Sequence, residues 1–505
     1  MVNSKNTNTS SIKNKKNSKN KYLFIFFLIF LIGIFLRFYQ IKARFLYGHD
    51  NDLIAWIVKD IVVDGHLRLI GQETSTQGIF IGALYYYLQI PFFWLLNMDP
   101  IAEVVASSLI GLFGIFSSYF VFKRIFGETS AIIASLLISV SYFVVSNDRE
   151  AVPTTPVLIW TIWFFYSLYK IKEDRLNGFI LAGILVSLIW HLNVTLILLA
   201  PLWIWAFLYS EKKEYFKKII VFILTFVTTS LPLFVFETRH GFMQTGSFIA
   251  SLTTKQGDII SGGDKLRRVI FLVAKNVKAW SLTSEVGGSV YIFLLMIAGI
   301  YIYLLISKKI NKFLGLAVCY WLVVYIVFFA SYSKIVSEYY LNGLFFVVLL
   351  GLVLFIACLF EKGQKYKISA QVLVAFFCIV NINAFLTKNI NHSGYVEKNN
   401  LIDFINYDMS SNGFGCAGIS YITDPGYELG YRYFFWKKQI VTKHPSFEVP
   451  VYSIVFPINK VDRVDYTFGS LGLILPEERW KSGNMKPDCS GGNTNLTDTM
   501  FGFVN

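Results

Sequence analysis

The chain has 505 residues, 55% hydrophobic and 17% aromatic, with mean hydropathy +0.53 and formal net charge +14. A soluble domain of this composition would expose too much apolar surface, whereas the recurring windows of about 20 apolar residues suit a hydrocarbon core roughly 30 Å thick. Nucleic acid is excluded as the reason for the charge. The lysines lie in a polar tail and in short loops between apolar windows, the pattern by which basic cytoplasmic loops orient a polytopic membrane protein.

Residues 1–21 form a Ser/Asn-rich tail carrying Lys5, Lys13, Lys15, Lys16, Lys19 and Lys21, too polar to bury a core and expected to be a disordered cytoplasmic segment. The apolar run after it is too long for a cleavable signal and has no small-residue cleavage site. "YLFIFFLIFLIGIFLRF" is the first predicted span, running outward, and residues 39–78 then face outward. "IFIGALYYYLQIPFFWLL" is long enough to cross. If it crossed, however, "FKRIF", "YKIKEDR", "YSEKKEYFKK", "SKKINK" and "EKGQKYK" would not all lie inside, so residues 79–97 are predicted to rest at the interface. About eleven spans follow, making residues 22–387 a transmembrane helical bundle with juxtamembrane amphipathic helices.

From residue 388 the composition turns polar, with Gly/Pro turns ("TDPGYELGY") and short alternating runs ("VPVYSIVFPI"). Residues 388–505 are predicted to be a small extracytoplasmic α/β module. Cys319, Cys358 and Cys378 sit in apolar segments as inert hydrophobes. Cys416 and Cys489 are the only pair in the exported module and are expected to form a disulfide. No spacing suggests zinc. The Lys/Asn/Ile-rich composition points to an AT-rich prokaryote and hence a plasma membrane, with the N-terminus cytoplasmic.

Three polar sites fall at one outer boundary. In "YGHDNDLIAW", Asp50, Ile54, Ile57, Val58 and Ile61 share one helical face, with Asp52, Trp56, Lys59 and Asp60 on the other side. This predicts an amphipathic surface helix with Asp50 at its N-terminus, where an ionised carboxylate is favoured. A simple N-cap is the other reading. The second site, "SYFVVSNDREAVP", places Asp148, Arg149 and Glu150 in a predicted hairpin turn, a place often polar for solubility alone. The third, "VFETRHGF", supplies Glu237, Arg239 and His240; the arginine fork suits a phosphate, and lipid head groups are the other possible partner. Together they suggest chemistry on a lipid carrying phosphate. A sugar held on a polyprenyl phosphate needs a carboxylate to deprotonate the acceptor hydroxyl and cations to stabilise the departing phosphate.

Over residues 20–245 these motifs resemble the GT-C superfamily of integral-membrane glycosyltransferases, in particular family 39, the protein O-mannosyltransferase and aminoarabinose-transferase type. The resemblance rests on "GHDNDLIAWIVKDIVVDGH", "GIFIGALYYYLQIPFFWLLNMDP", Arg124–Gly127 and "SNDREAVP". It implies inverting transfer with Asp50 as general base; Asn51 stands where the family's Glu usually follows, and Asp52 is the next carboxylate. Asp148 matches the second acidic position. Glu237, Arg239, His240 and Arg149 are implied as donor-phosphate contacts, and His49, Glu73 and Tyr86 as substrate contacts. The implied partners are the bilayer, a polyprenyl-phosphate-linked sugar and a protein, lipid or glycan acceptor. A divalent cation (Mg or Mn) on Asp50, Asp52 and Asp148 is a possible cofactor. A transporter or flippase of lipid-linked sugars is the alternative, but it would put charges inside spans and commonly show repeats. A scaffold whose exported module binds partners would not need the three sites at one depth.

Overall fold

The computed structural model describes residues 6–210, 214–253, 257–481 and 485–490. The first helix, α1 (Asn6–Phe38), carries its apolar part from Asn20. Helix therefore extends into the tail expected to be disordered, because adding turns to an existing helix avoids the cost of nucleation; Lys5 lies outside the described residues. The short helix α2 (His49–Val62) follows, then an antiparallel hairpin of β1 (Ile70–Glu73) and β2 (Phe80–Gly82). Next comes α3 (Leu84–Leu95). Its 12 residues span only about 18 Å, short of a bilayer core.

The bundle continues through α4 (Ile101–Phe126), α5 (Glu128–Val140), α6 (Tyr142–Glu150), α7 (Val157–Lys172), α8 (Leu176–Leu192) and α9 (Ala200–Leu208). Then come α10 (Tyr215–Thr229), α11 (Leu231–Arg239), α12 (Met243–Thr253) and α13 (Gly262–Ser281). The last four are α14 (Val290–Ile306), α15 (Lys312–Ser331), α16 (Phe345–Glu361) and α17 (Gln364–Thr387). By length and composition, five described helices can cross a membrane, or seven if the bent pairs α5–α6 and α10–α11 each count as one span. That is fewer than the eleven expected. Apolar windows such as Leu176–Leu192 and Val290–Ile306 form helices of 17 residues or fewer, and the outer loop expected after Glu237 contains two helices of its own.

The α5–α6 bend of 59° falls at Ser141, whose side chain caps α6 by accepting from Val144 N at 3.5 Å. The "SNDRE" stretch is therefore the end of a helix rather than a hairpin loop.

The C-terminal module begins with α18 (Tyr395–Asn412), followed by β3 (Ala417–Thr423), α19 (Arg432–Lys437), β4 (Thr442–Lys443), β5 (Val451–Phe456), β6 (Tyr466–Phe468) and β7 (Leu471–Ile474). Its mixed sheet has the order β4-β3-β5-β7-β6, parallel on the β3 side and antiparallel from β5 outward. Strands β3, β5 and β7 are rich in Ile, Val and Leu, and Ile419, Ile454 and Leu473 are buried against α18. Cys416, just before β3, is bonded to Cys489, with Cα atoms 5.6 Å apart.

The module core is continuous with the bundle. Phe45, Tyr47, Ile101 and Val104 pack in one cluster with Tyr395, Tyr431 and Phe434. Here the surface-helix expectation for α2 fails. Ile54, Ile57, Val58 and Ile61 are buried as predicted, but Asp52 and Asp60 on the other side are buried too, Asp52 because Tyr433 of the module covers it and Asp60 because it pairs with Arg68 and His66 just beyond α2. Asp50 is the acidic residue of α2 left exposed.

Candidate active site

A cavity of about 1200 Å³ lies where α1, α6 and α17 end. Its walls are formed by Arg44, Leu46 and residues 48–51, by α6, by Arg268, Leu272 and Asn276 of α13, by residues 336–339 with Asn342, and by Phe385 and residues 388–391 at the connection to the module. Two arginines hold this junction. Arg149 donates through Nη1 to the carbonyls of Leu36, Arg37 and Tyr39, each at 3.0 Å, closing the C-terminus of α1. Arg44 donates to Phe385 O at 3.0 Å and Leu386 O at 3.3 Å, closing α17. Helix C-termini leave carbonyls unpaired and carry partial negative charge, so guanidinium groups suit both ends.

Asp50 projects into this cavity from the first turn of α2, with Gln72 Nε2 3.5 Å from Oδ1. Its neighbour Asn51 explains the departure from the family's Glu. Asn51 Oδ1 accepts from Gly48 N at 3.0 Å, closing the helix start. Its Nδ2 faces Glu103 Oε2 at 3.2 Å and the carbonyls of Glu150 and Ala151 at 3.3 Å. A carboxylate at 51 would meet three acceptors, whereas an amide supplies both acceptor and donor.

Two of the three acidic candidates are committed elsewhere. Asp52 is 2% exposed; its Oδ1 accepts from Tyr47 Oη at 3.1 Å and from Tyr433 N at 3.0 Å. Burial pushes its carboxyl up to about 6, against the opposing pull of the Tyr433 N–H and Lys398. Asp148 is buried in an ion pair with Arg37, Nη2–Oδ2 2.6 Å, and packs so tightly that a Cβ on Gly111 would sit 2.2 Å from Oδ2. Neither carboxylate faces the cavity. The three aspartates therefore do not gather as a cation site. Among the described residues the group with metal-ligand proximity is Asp60, Asp64 and His66, where Asp60 already pairs with Arg68.

The "ETRH" site also divides. Glu237 is buried and accepts from Gln244 N at 3.1 Å and Thr245 N at 3.0 Å, anchoring the start of α12. Arg239 and His240 are exposed, outside the cavity, and His240 stacks on Phe236. Glu73 accepts from Gly78 N within its own hairpin, and the buried Tyr86 hydroxyl is bonded to Gln72 N and Oε1, each at 3.0 Å. Both hold the hairpin that carries Gln72. His49 and Arg149 do line the cavity, Arg149 with its guanidinium occupied by α1.

The sequence reading missed Arg268, Lys388 and Asn342. The first two are the cavity cations not bound to a helix end. Arg268 Nη1 is 4.0 Å from Asp258, and Lys388 is in an exposed pair with Glu285 at 3.0 Å. Asn342 turns a buried amide into the cavity wall. The 3.6-residue periodicity of "GGDKLRRVIFLVAKNVKAWS" could have found the helix that carries Arg268. Nothing local marks Lys388.

Residues 82–236 match the family model described as dolichyl-phosphate-mannose-protein mannosyltransferase. The fold is similar to that of ArnT from Cupriavidus metallidurans. Against its apo structure the TM-score is 0.60 at 11% identity, covering 92% of this chain and 99% of that one. Against its structure bound to undecaprenyl phosphate the TM-score is 0.56 at 12% identity, covering 88% and 97%. No curated protein matches the sequence. The segment 82–236 is thus similar to that mannosyltransferase family, and the chain as a whole shares the multi-helix membrane-protein fold of ArnT. These likenesses support a membrane glycosyltransferase.

Proposed function

We propose that this protein transfers a sugar from a polyprenyl-phosphate carrier to an acceptor hydroxyl at the extracytoplasmic face of the plasma membrane, inverting the anomeric centre. The observation that carries the reading is the exposed carboxylate of Asp50 in the same cavity as Arg268 and Lys388, two cations whose present partners are weak or solvent-exposed. Asp50 takes the acceptor proton as the hydroxyl oxygen attacks the anomeric carbon, and the carbon–oxygen bond to phosphate breaks. The lipid phosphate then leaves with its negative charge facing Arg268 and Lys388, where charge-assisted hydrogen bonds are strongest. Residues 22–387, together with Lys388 at the start of the C-terminal module, carry this chemistry, and the module packs against α2 beside it, with the N-terminus cytoplasmic. The bound lipid in the similar ArnT structure and the mannosyltransferase description of the matched family support a polyprenyl or dolichyl phosphate donor. Mass spectrometry of lipid-linked sugars in a deletion strain tests this. The donor is expected to accumulate, and an unchanged lipid-linked pool together with unchanged envelope and protein glycans would overturn the reading.

A further inference from the structure

We infer that Asp52 is a positioning residue through which the C-terminal module sets the turn of α2 carrying Asp50; this rests on the reading of Asp50 as the base. The module holds the chain on both sides of Asp50. Upstream, Tyr395 N donates to Phe45 O at 3.0 Å. Gly430, at φ +90°, lies so close to Gly48 that a Cβ there would sit 3.1 Å from the Gly48 carbonyl carbon and oxygen. A side chain at 430 would therefore both strain the backbone and push on the residue that starts α2.

Downstream, Tyr433 N donates to Asp52 Oδ1, and the Arg432 guanidinium lies 3.6 Å from the centroid of the Trp56 ring one turn further along. Behind Asp52, Lys398 is buried against the Tyr431 ring at 4.4 Å, with its ammonium 3.3 Å from Leu429 O and 3.4 Å from Gly430 O. The same segment grips the α3–α4 turn, where Tyr433 Oη donates to Met98 O at 2.9 Å and Lys437 pairs with Asp99. Asp50 is left facing the cavity from a turn fixed at its start and two residues beyond it.

Both hydrogen bonds to Asp52 end on the same oxygen, Oδ1. That makes the test specific. Asp52→Asn keeps an acceptor oxygen at that point, whereas Asp52→Ala removes it. Kinetics are measured on the full-length protein in detergent with a polyprenyl-phosphate sugar and its acceptor, and hydrogen exchange on the same protein without substrates.

Misplacing a base by about an ångström costs on the order of a hundredfold. Asp52→Ala is expected to lower kcat by roughly ten- to a hundredfold, with donor KM little changed. Exchange should rise at residues 48–54 but not across β3 and β5, and Asp52→Asn should restore most of the rate. Wild-type turnover in Asp52→Ala, equal losses in the two variants, or faster exchange through the whole module would each overturn the inference. Asp50→Asn in the same assay separates the two readings. If it transfers normally, the base assignment fails, while the exchange pattern at 48–54 still decides whether Asp52 fixes the turn.

Discussion

Removing the charge of Asp148 should cost stability rather than chemistry. Arg37 is fully buried in α1, and Asp148 Oδ2 accepts from its Nε at 2.9 Å and pairs with Nη2 at 2.6 Å. The remaining contacts of that guanidinium, to Gly33 O, Ser139 O and Ile138 O, are long at 3.3–3.4 Å. Asp148→Asn would thus leave a buried cation supported only by weak carbonyl contacts. Breaking one side of such a pair costs about 3–5 kcal/mol, or roughly two to four powers of ten in the folding equilibrium. Unfolding in detergent, followed by tryptophan fluorescence, measures it. The double variant Arg37→Met with Asp148→Leu should recover most of the loss, because well-packed apolar side chains can replace a buried pair. A loss below about 1 kcal/mol with transfer abolished would refute this and return Asp148 to the chemistry.

Arg268→Ala is expected to reduce kcat/KM for the lipid-linked donor by roughly 10–150-fold, the equivalent of about 1.5–3 kcal/mol for a charge-assisted hydrogen bond. Arg239→Ala should stay within about twofold; donor titrations that reverse this order would contradict the cavity assignment. Asp52 also predicts a pH dependence. It is faced by Tyr47, Glu103, Tyr433, Lys398 and Arg432, and burial pushes its folded carboxyl up to about 6 from the ordinary aspartate value of about 4. The stability it contributes is therefore present at pH below about 4 and lost as pH rises through about 6. The melting temperature of wild type relative to Asp52→Asn should fall across that window, and a flat difference would argue against it. In the non-reduced full-length protein, thiol reagents after unfolding should label Cys319, Cys358 and Cys378 but not Cys416 or Cys489, and labelling of all five would rule out the bond.

Local pattern carried much of this structure. The apolar window before Arg37, the short helix around Pro91 and the polar start of α2 all leave marks within 20 residues, and the polar composition after residue 388 marks the module whose two cysteines, 73 residues apart, are bonded. What escaped the sequence depends on partners far along the chain. Asp52 reads as water-facing because its helix has an apolar face opposite, yet the module that covers it arrives with Tyr433, 381 residues later. Asp148 reads as a solvated turn because its partner, Arg37, lies 111 residues earlier. Glu237 and Arg239 are neighbours in sequence but point to different surroundings, so charge at one depth did not amount to one site. Arg268 and Lys388 enter the cavity only because α13 and the end of α17 converge on it, which no local window records.

The most direct measurement is sugar transfer from a polyprenyl-phosphate donor by purified Asp50→Asn protein. Asparagine preserves size and helix-starting ability but cannot take the acceptor proton. Loss of general-base help typically costs about 10²–10⁴ in rate. The account predicts a fall of at least about a hundredfold, with unchanged unfolding temperature and donor binding. Near-normal transfer by Asp50→Asn would contradict it.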